Sequence, residues 1–158
     1  MKPIVIILMG SKADLEHCTK ISDGCKQFGI ETVTRIASAH KTAEHALAIL
    51  QKYESDPRPK VYITVAGRSN ALSGFTDGTV SAPVIACPPM SESFGGTDIF
   101  SSLRMPSGIA PAVVLEPVNA ALLAAKILGL VDESVQEKVK ASQMRAAQKI
   151  MKDDASVQ

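Results

Sequence analysis

The sequence predicts an α/β fold, a three-layer sandwich with a central parallel sheet, helices on both faces and additional C-terminal helices. Three observations carry this. Short β-branched runs alternate with stretches of helical periodicity along all 158 residues, and the links between them are short, a pattern that gives parallel strands joined by crossover helices. The run Ile4-Val5-Ile6-Ile7-Leu8-Met9 is apolar throughout rather than alternating, which marks a strand covered on both faces. The chain is also long enough to bury one core, so a single domain over residues 1–158 is expected.

The first strand is Ile4 to Met9 and runs into Gly10-Ser11-Lys12-Ala13-Asp14. Beyond it Leu15, Cys18, Ile21 or Ser22, Cys25 and Phe28 recur at helical spacing, with Gly29 as the stop. Thr32 to Ala37 is a second strand, shorter and more polar and hence nearer an edge. From Thr42, the positions Ala43, Leu47, Leu50 and Tyr53 or Glu54 describe an amphipathic helix closed by Asp56-Pro57-Arg58-Pro59, where two prolines forbid continuation. Val61 to Ala66 is the third strand and Val84 to Cys87 the fourth, the latter followed by Pro88-Pro89 and a stretch from Ser91 to Gly96 that serves as a lid or as a plain connection. Asp98 to Met105 reads as a short helix, and Ala112 to Leu115 as the fifth strand. Pro117 suits the first turn of a helix, and Ala120 to Leu128 is apolar around most of its circumference, as for a helix buried in the domain or against another subunit. The last helix, Glu133 to about Met151, has only a thin stripe at Val135, Val139 and Met144, so docking onto a neighbouring subunit is expected, with fraying from Asp153. This order implies a flavodoxin-like arrangement.

Composition narrows the function classes. Lys plus Arg number 17 against 16 Asp plus Glu, so no nucleic-acid or membrane partner is expected and any anionic ligand must be held by local groups. The three cysteines, Cys18, Cys25 and Cys87, form no CxxC and no Cys/His cluster at metal-ligand spacing, and read as small buried hydrophobes. The apolar run after Pro3 is too short for a secretion signal or a membrane span, which fits a cytoplasmic protein.

Chemistry-bearing residues fall at strand ends, where open parallel sheets bind their ligands. Ser38-Ala39-His40-Lys41 offers a hydroxyl, an imidazole and an ammonium between the second strand and the next helix. Imidazole is the side chain whose ordinary pKa lies nearest neutrality. The Gly10–Asp14 turn puts Ser11 at a helix start suited to an anion, although plain capping by Ser11 or Asp14 suits the same residues. Gly67-Arg68-Ser69-Asn70 follows the third strand, where glycine permits close approach of a ligand. His17 and His45 lie inside helices and read as surface residues.

The motifs GSxxD (Gly10, Ser11, Asp14), SAHK (Ser38 to Lys41), AGRSNALSG (Ala66 to Gly74), ACPP (Ala86 to Pro89), SSLRMPSG (Ser101 to Gly108) and NAALLAAKI (Asn119 to Ile127) together resemble the PurE enzymes of purine biosynthesis. The resemblance covers nearly the whole chain. It is closest to class II, because Lys41 stands where class I enzymes carry arginine and AGRSNALSG replaces their Gly/Ala-rich segment ending in HLPG. What it implies is an aminoimidazole ribonucleotide (AIR) carboxylase, a lyase by name, that adds CO2 at ring carbon C4 without biotin, metal or ATP.

The resemblance further implies His40 as general acid/base. Gly10, Ser11, Asp14, Ser38 and Lys41 would hold the ribonucleotide, and Gly67, Arg68, Ser69 and Asn70 would border the base and a small, dry CO2 pocket. Ala13 departs from the family pattern, where a serine is frequent, so a backbone N–H must replace a hydroxyl contact there. Family members are octamers, and the Ala/Leu-rich helix from Ala120 agrees with burial at such an axis. Two rival readings share these motifs: a class I-type mutase that moves a carboxyl group from the exocyclic amine to C4, and a non-catalytic nucleotide-binding module, which would have no use for His40.

Overall fold

The computed structural model describes residues 1–157. Five strands, β1 (Ile4–Met9), β2 (Glu31–Ile36), β3 (Lys60–Val65), β4 (Val84–Ala86) and β5 (Ala112–Val113), form one sheet in the order β2-β1-β3-β4-β5 with every neighbouring pair parallel. Six α-helices connect or follow them: α1 (Leu15–Gln27), α2 (Ala43–Glu54), α3 (Ala71–Asp77), α4 (Phe100–Leu103), α5 (Pro117–Leu128) and α6 (Glu133–Ala155). This is the flavodoxin-like order, with its switch point between β1 and β3.

The sheet divides the core in two. On one face Val5, Ile7 and Met9 pack with Cys18, Ile21 and Cys25 of α1, Ala120, Ala121, Ala124 and Ala125 of α5, and Val135 and Val139 of α6. On the other, Ile4, Ile6 and Leu8 pack with Ala46, Ile49, Leu50 and Tyr53 of α2 and Leu72 of α3. The continuous apolar run of β1 thus follows from its being buried on both faces.

Several expected elements shift. β5 is only two residues long, held between Pro111 and the Glu116-Pro117 start of α5, although the Val114 N–H still reaches Ala86 O at 2.9 Å. The predicted Asp98–Met105 helix is a 3-10 turn, Thr97–Ile99, leading into the one-turn α4. The buried stripe of α2 is Ala46, Ile49, Leu50 and Tyr53; Ala43 and Leu47 point outward, so the helix is turned relative to the expected face. α6 runs to Ala155, past the expected end, and Met144 is exposed. α5 is buried within the chain through its alanines, against α1 and α6. The three cysteines are buried free thiols, pushed up to about 12 chiefly by that burial. No described helix is long and apolar enough to cross a membrane.

α1 and α5 meet through small residues. A Cβ built on Gly24 would lie 2.7 Å from the Ala121 Cβ, closer than two carbons tolerate, so the hydrogen of Gly24 sets the approach of the two helices. Gly24→Val is expected to destabilise the fold by about 1–3 kcal/mol through overpacking, read as a lower thermal midpoint. Adding Ala121→Gly should recover part of that loss; no recovery in the double variant would refute this contact as the cause.

Candidate active site

Each turn at the carboxyl edge is braced by short polar side chains bonded to backbone, and the turns together face one cleft. After β1, the Gly10 N–H donates to Val65 O (2.9 Å), tying the end of β1 to β3 across the switch point. Ser11 is extended (φ −153°, ψ 150°) and its Oγ accepts from the Ala13 N–H at 3.2 Å, capping the 3-10 turn Lys12–Asp14 that feeds α1. Capping is therefore realised, and the Ser11 O–H proton remains available to donate.

The turn after β2 is closed reciprocally by Ser38 and Thr42. The Ser38 N–H donates to Thr42 Oγ1 (2.9 Å), while Ser38 O accepts from the Thr42 N–H (2.9 Å) and the Thr42 hydroxyl (3.2 Å). The Lys41 N–H reaches Ser38 Oγ at 3.3 Å. His40 and Lys41 thus sit on the exposed crest of a turn whose geometry does not depend on their side chains. Thr42, which the sequence places only at the start of the next helix, is the support of this turn.

After β3, Gly67, Arg68 and Ser69 reach the same cleft. Arg68 has φ +60°, the only non-glycine residue among those described with positive φ. Asn70, expected at the substrate, is turned inward instead: it is buried, its Oδ1 accepts from the Ser73 N–H (3.3 Å) to cap α3, and its Nδ2 donates to Ser102 Oγ (2.9 Å). A short amide in the residue before a helix serves the helix first.

The result is a cleft of about 610 Å³ lined by Gly10, Ser11, Ala13, Asp14, Ser38, His40, Lys41, Gly67, Arg68 and Ser69, with Ala39, Ala66, Leu72 and the stretch Pro89 to Ser93 as further wall. Of the ten sequence candidates only Asn70 is absent from this lining. The 89–93 wall is a contribution that sequence reading left open; its signal was a fourth strand end, marked by Pro88-Pro89. Behind Gly67 and Pro89 lies a second, mostly apolar chamber of about 20 Å³, bordered also by Ala66, Met90, Ile99 and Leu115. That is room for one or two small molecules, since a water needs ~10–15 Å³.

Charge in the cleft is balanced locally. Burial pushes the Asp14 carboxyl up from its usual range, against the opposing pull of His17 and Arg68. His17 is not the surface residue its helical position suggested: it is half-buried, its Nε2 lies 3.3 Å from Cys87 Sγ, and burial pushes its imidazole down, opposed by Cys87 and Asp14. One turn of α1 beyond Asp14, it faces the sheet rather than solvent. His45 is exposed, as expected. Among the described residues no group of three or more His, Cys, Asp or Glu side chains is gathered to hold a metal ion.

This geometry agrees with comparison to known proteins. The AIR carboxylase family model matches residues 4–149. The phosphoribosylaminoimidazole carboxylase of Treponema denticola is 60% identical over 157 residues, covering 99% of both chains. That of Archaeoglobus fulgidus is 56% identical over 149 residues, covering 94% of this chain and 82% of the relative. The crystal structure of Treponema denticola PurE superposes with a TM-score of 0.97 at 59% identity, covering 99% of each chain. With a family match over most of its length, relatives of more than half identity and the same fold, the chain belongs to the AIR carboxylase family, the PurE enzymes of purine biosynthesis.

Proposed function

We propose that this cleft carboxylates AIR directly with CO2 at C4, as a class II PurE. The observation that carries the reading is the Ser38–Thr42 turn, which presents an imidazole and an ammonium side by side at the mouth of a strand-end cleft. Lys41 in that turn and the AGRSNALSG segment favour the class II reaction, and the relatives' name, phosphoribosylaminoimidazole carboxylase, agrees with it.

The ribonucleotide's phosphate and ribose lie against Ser11, Asp14, Ser38 and Lys41, with the Gly10 backbone leaving room at the floor. Lys41 meets the anion as a compact point charge. The π electrons of the electron-rich C4 attack the CO2 carbon; the new C–C bond forms as one C=O pair moves onto oxygen and gives a carboxylate. C4 then carries both hydrogen and carboxylate. Neutral His40 takes the C4 proton and the C–H pair restores the aromatic ring. In reverse, protonated His40 delivers that proton to C4 and CO2 departs. Every electron pair is accounted for within substrate and imidazole, so the step needs no oxidant or reductant. The apolar chamber beside Gly67 suits an uncharged gas, and exclusion of water there strengthens the polar contacts around it.

We also infer assembly into a homo-oligomer, an octamer by family resemblance. Leu130, Val131, Met144, Ile150 and Met151 are all exposed on and before α6, a surface more apolar than a lone chain needs. Light scattering at micromolar concentration should give about eight chain masses; a monomer would contradict the inference.

Purified protein should consume AIR with bicarbonate and CO2, and should not require the carboxyamino substrate; turnover of the latter alone would make it a mutase. His40→Asn should lose carboxylation while retaining nucleotide binding, whereas Lys41→Ala should weaken binding about tenfold or more, the scale of one lost charge-assisted contact. Near-parental turnover by His40→Asn removes that residue from the chemistry, and unchanged affinity in Lys41→Ala removes Lys41 from the anion.

Asp14 gives a pH test. Its folded pKa is raised, so its ionised form costs stability above that pKa, and the cost disappears as pH falls through the folded value toward the unfolded one. Asp14→Asn should therefore unfold at a higher temperature at neutral pH, lose that advantage in acid, and bind the ribonucleotide more weakly. A variant less stable than its parent at neutral pH would show that Asp14 supports the fold instead.

A further inference from the structure

Arg68 takes the left-handed backbone conformation, although Gly67 beside it would take it without strain. Local sequence does not account for that choice, so something outside the loop must hold it. Both backbone groups of Arg68 are engaged by one distant segment. Its N–H donates to Asp98 Oδ2 at 3.1 Å, and its carbonyl lies 3.0 Å from the Ser101 hydroxyl. The same Ser101 Oγ accepts from the Asn70 N–H at 3.0 Å and also lies 2.8 Å from Asp98 O, so it ties the clamp to itself. Ser102, almost fully buried, accepts from the Asn70 amide. Ser101 and Ser102 open the SSLRMPSG motif.

We propose that Asp98 is a positioning residue for the cleft: by accepting the Arg68 N–H it holds Arg68 in the left-handed conformation that sets its guanidinium at the ligand, with Ser101 as the second jaw. Arg68 lines the cleft and acts electrostatically on Asp14. Released from the clamp, Arg68 relaxes to the extended or right-handed region favoured by L residues, and its side chain no longer meets the ribonucleotide. Asp98 touches the neighbouring small chamber, so loss of its carboxylate also loosens the wall shared with Gly67. The proposal rests on the carboxylase reading for its kinetic consequence and on backbone geometry alone for its structural one.

The test compares Asp98→Ala with Asp98→Asn, whose amide oxygen still accepts from the Arg68 N–H. Hydrogen exchange of the Arg68 amide is measured in the ligand-free enzyme, and KM for AIR and kcat are measured with bicarbonate present. Asp98→Ala should speed exchange about tenfold and raise KM about tenfold, the scale of one lost hydrogen bond to a charged acceptor, with kcat within about threefold. Asp98→Asn should restore both to within about threefold. Unchanged exchange in Asp98→Ala, faster exchange with unchanged KM, a loss confined to kcat, or failure of Asp98→Asn to restore either would overturn the proposal. If the parent enzyme does not turn over AIR, the carboxylase reading fails, while the exchange measurement still decides whether Asp98 holds Arg68. Should Asp98→Ala not fold, Ser101→Ala removes the other jaw and is judged by the same two measurements.

Discussion

The molecule depends on the double-sided burial of β1. Its six residues are each 0–2% exposed, with Ile4, Ile6 and Leu8 in one core and Val5, Ile7 and Met9 in the other. Each such side chain contributes about 1.5–3 kcal/mol on leaving water, so displacing β1 is costly to both cores at once. Because β1 pairs in parallel with β2 on one side and β3 on the other, the direction of winding reverses at β1 and the turns after all three strands fall at the same edge. The cleft is a consequence of that topology before any side chain in it is chosen. Its functional groups are then small additions on top of a frame that has already been secured.

Those additions have a common construction. The turn after β2 is locked by Ser38 and Thr42, and the loop after β3 by Asn70, Asp98, Ser101 and Ser102, so the residues that face the cleft are spared the work of holding their own backbone. Short polar side chains bond to backbone, and His40, Lys41 and Arg68 project from the result. Ser11 and Ser38 do both, each bracing its turn and lining the cleft. Burial of Asp14 beside a half-buried His17 is where the site draws on the stability that β1 supplies.

The sheet was legible because its signals are local. A both-faces-buried strand is apolar in every residue, and turns after β1, β2 and β3 announce themselves with glycine, serine and a change of period. What could not be read depends on partners far along the chain. The outward position of Leu47 follows from where α2 meets the sheet, which buries Ala46, Ile49, Leu50 and Tyr53 instead. His17 looked exposed because a helix has two faces and periodicity alone placed this residue on neither; its neighbour across the interface is Cys87, seventy residues on. Asn70 reads as a ligand because a polar residue after a glycine at a strand end commonly is one, yet its oxygen is taken by its own helix and its nitrogen donates to Ser102.

The same asymmetry explains why the left-handed residue was missed. Sequence reading assigns positive φ to glycine, and Gly67 offered itself one position away. Placing the strain on Gly67 would have been free locally, but it would have left Arg68 in an ordinary conformation with its N–H and carbonyl pointing elsewhere. Placing it on Arg68 uses both of those groups to join β3's loop to Asp98 just before α4 and Ser101 within it, 30 and 33 residues away, and thereby couples the orientation of a charged side chain to the wall behind the cleft. A backbone strained at a charged residue beside a relaxed glycine is therefore informative in a way that either residue alone is not. It identifies the loop as one whose shape is imposed from outside, and it names Asp98 and Ser101 as the groups that impose it.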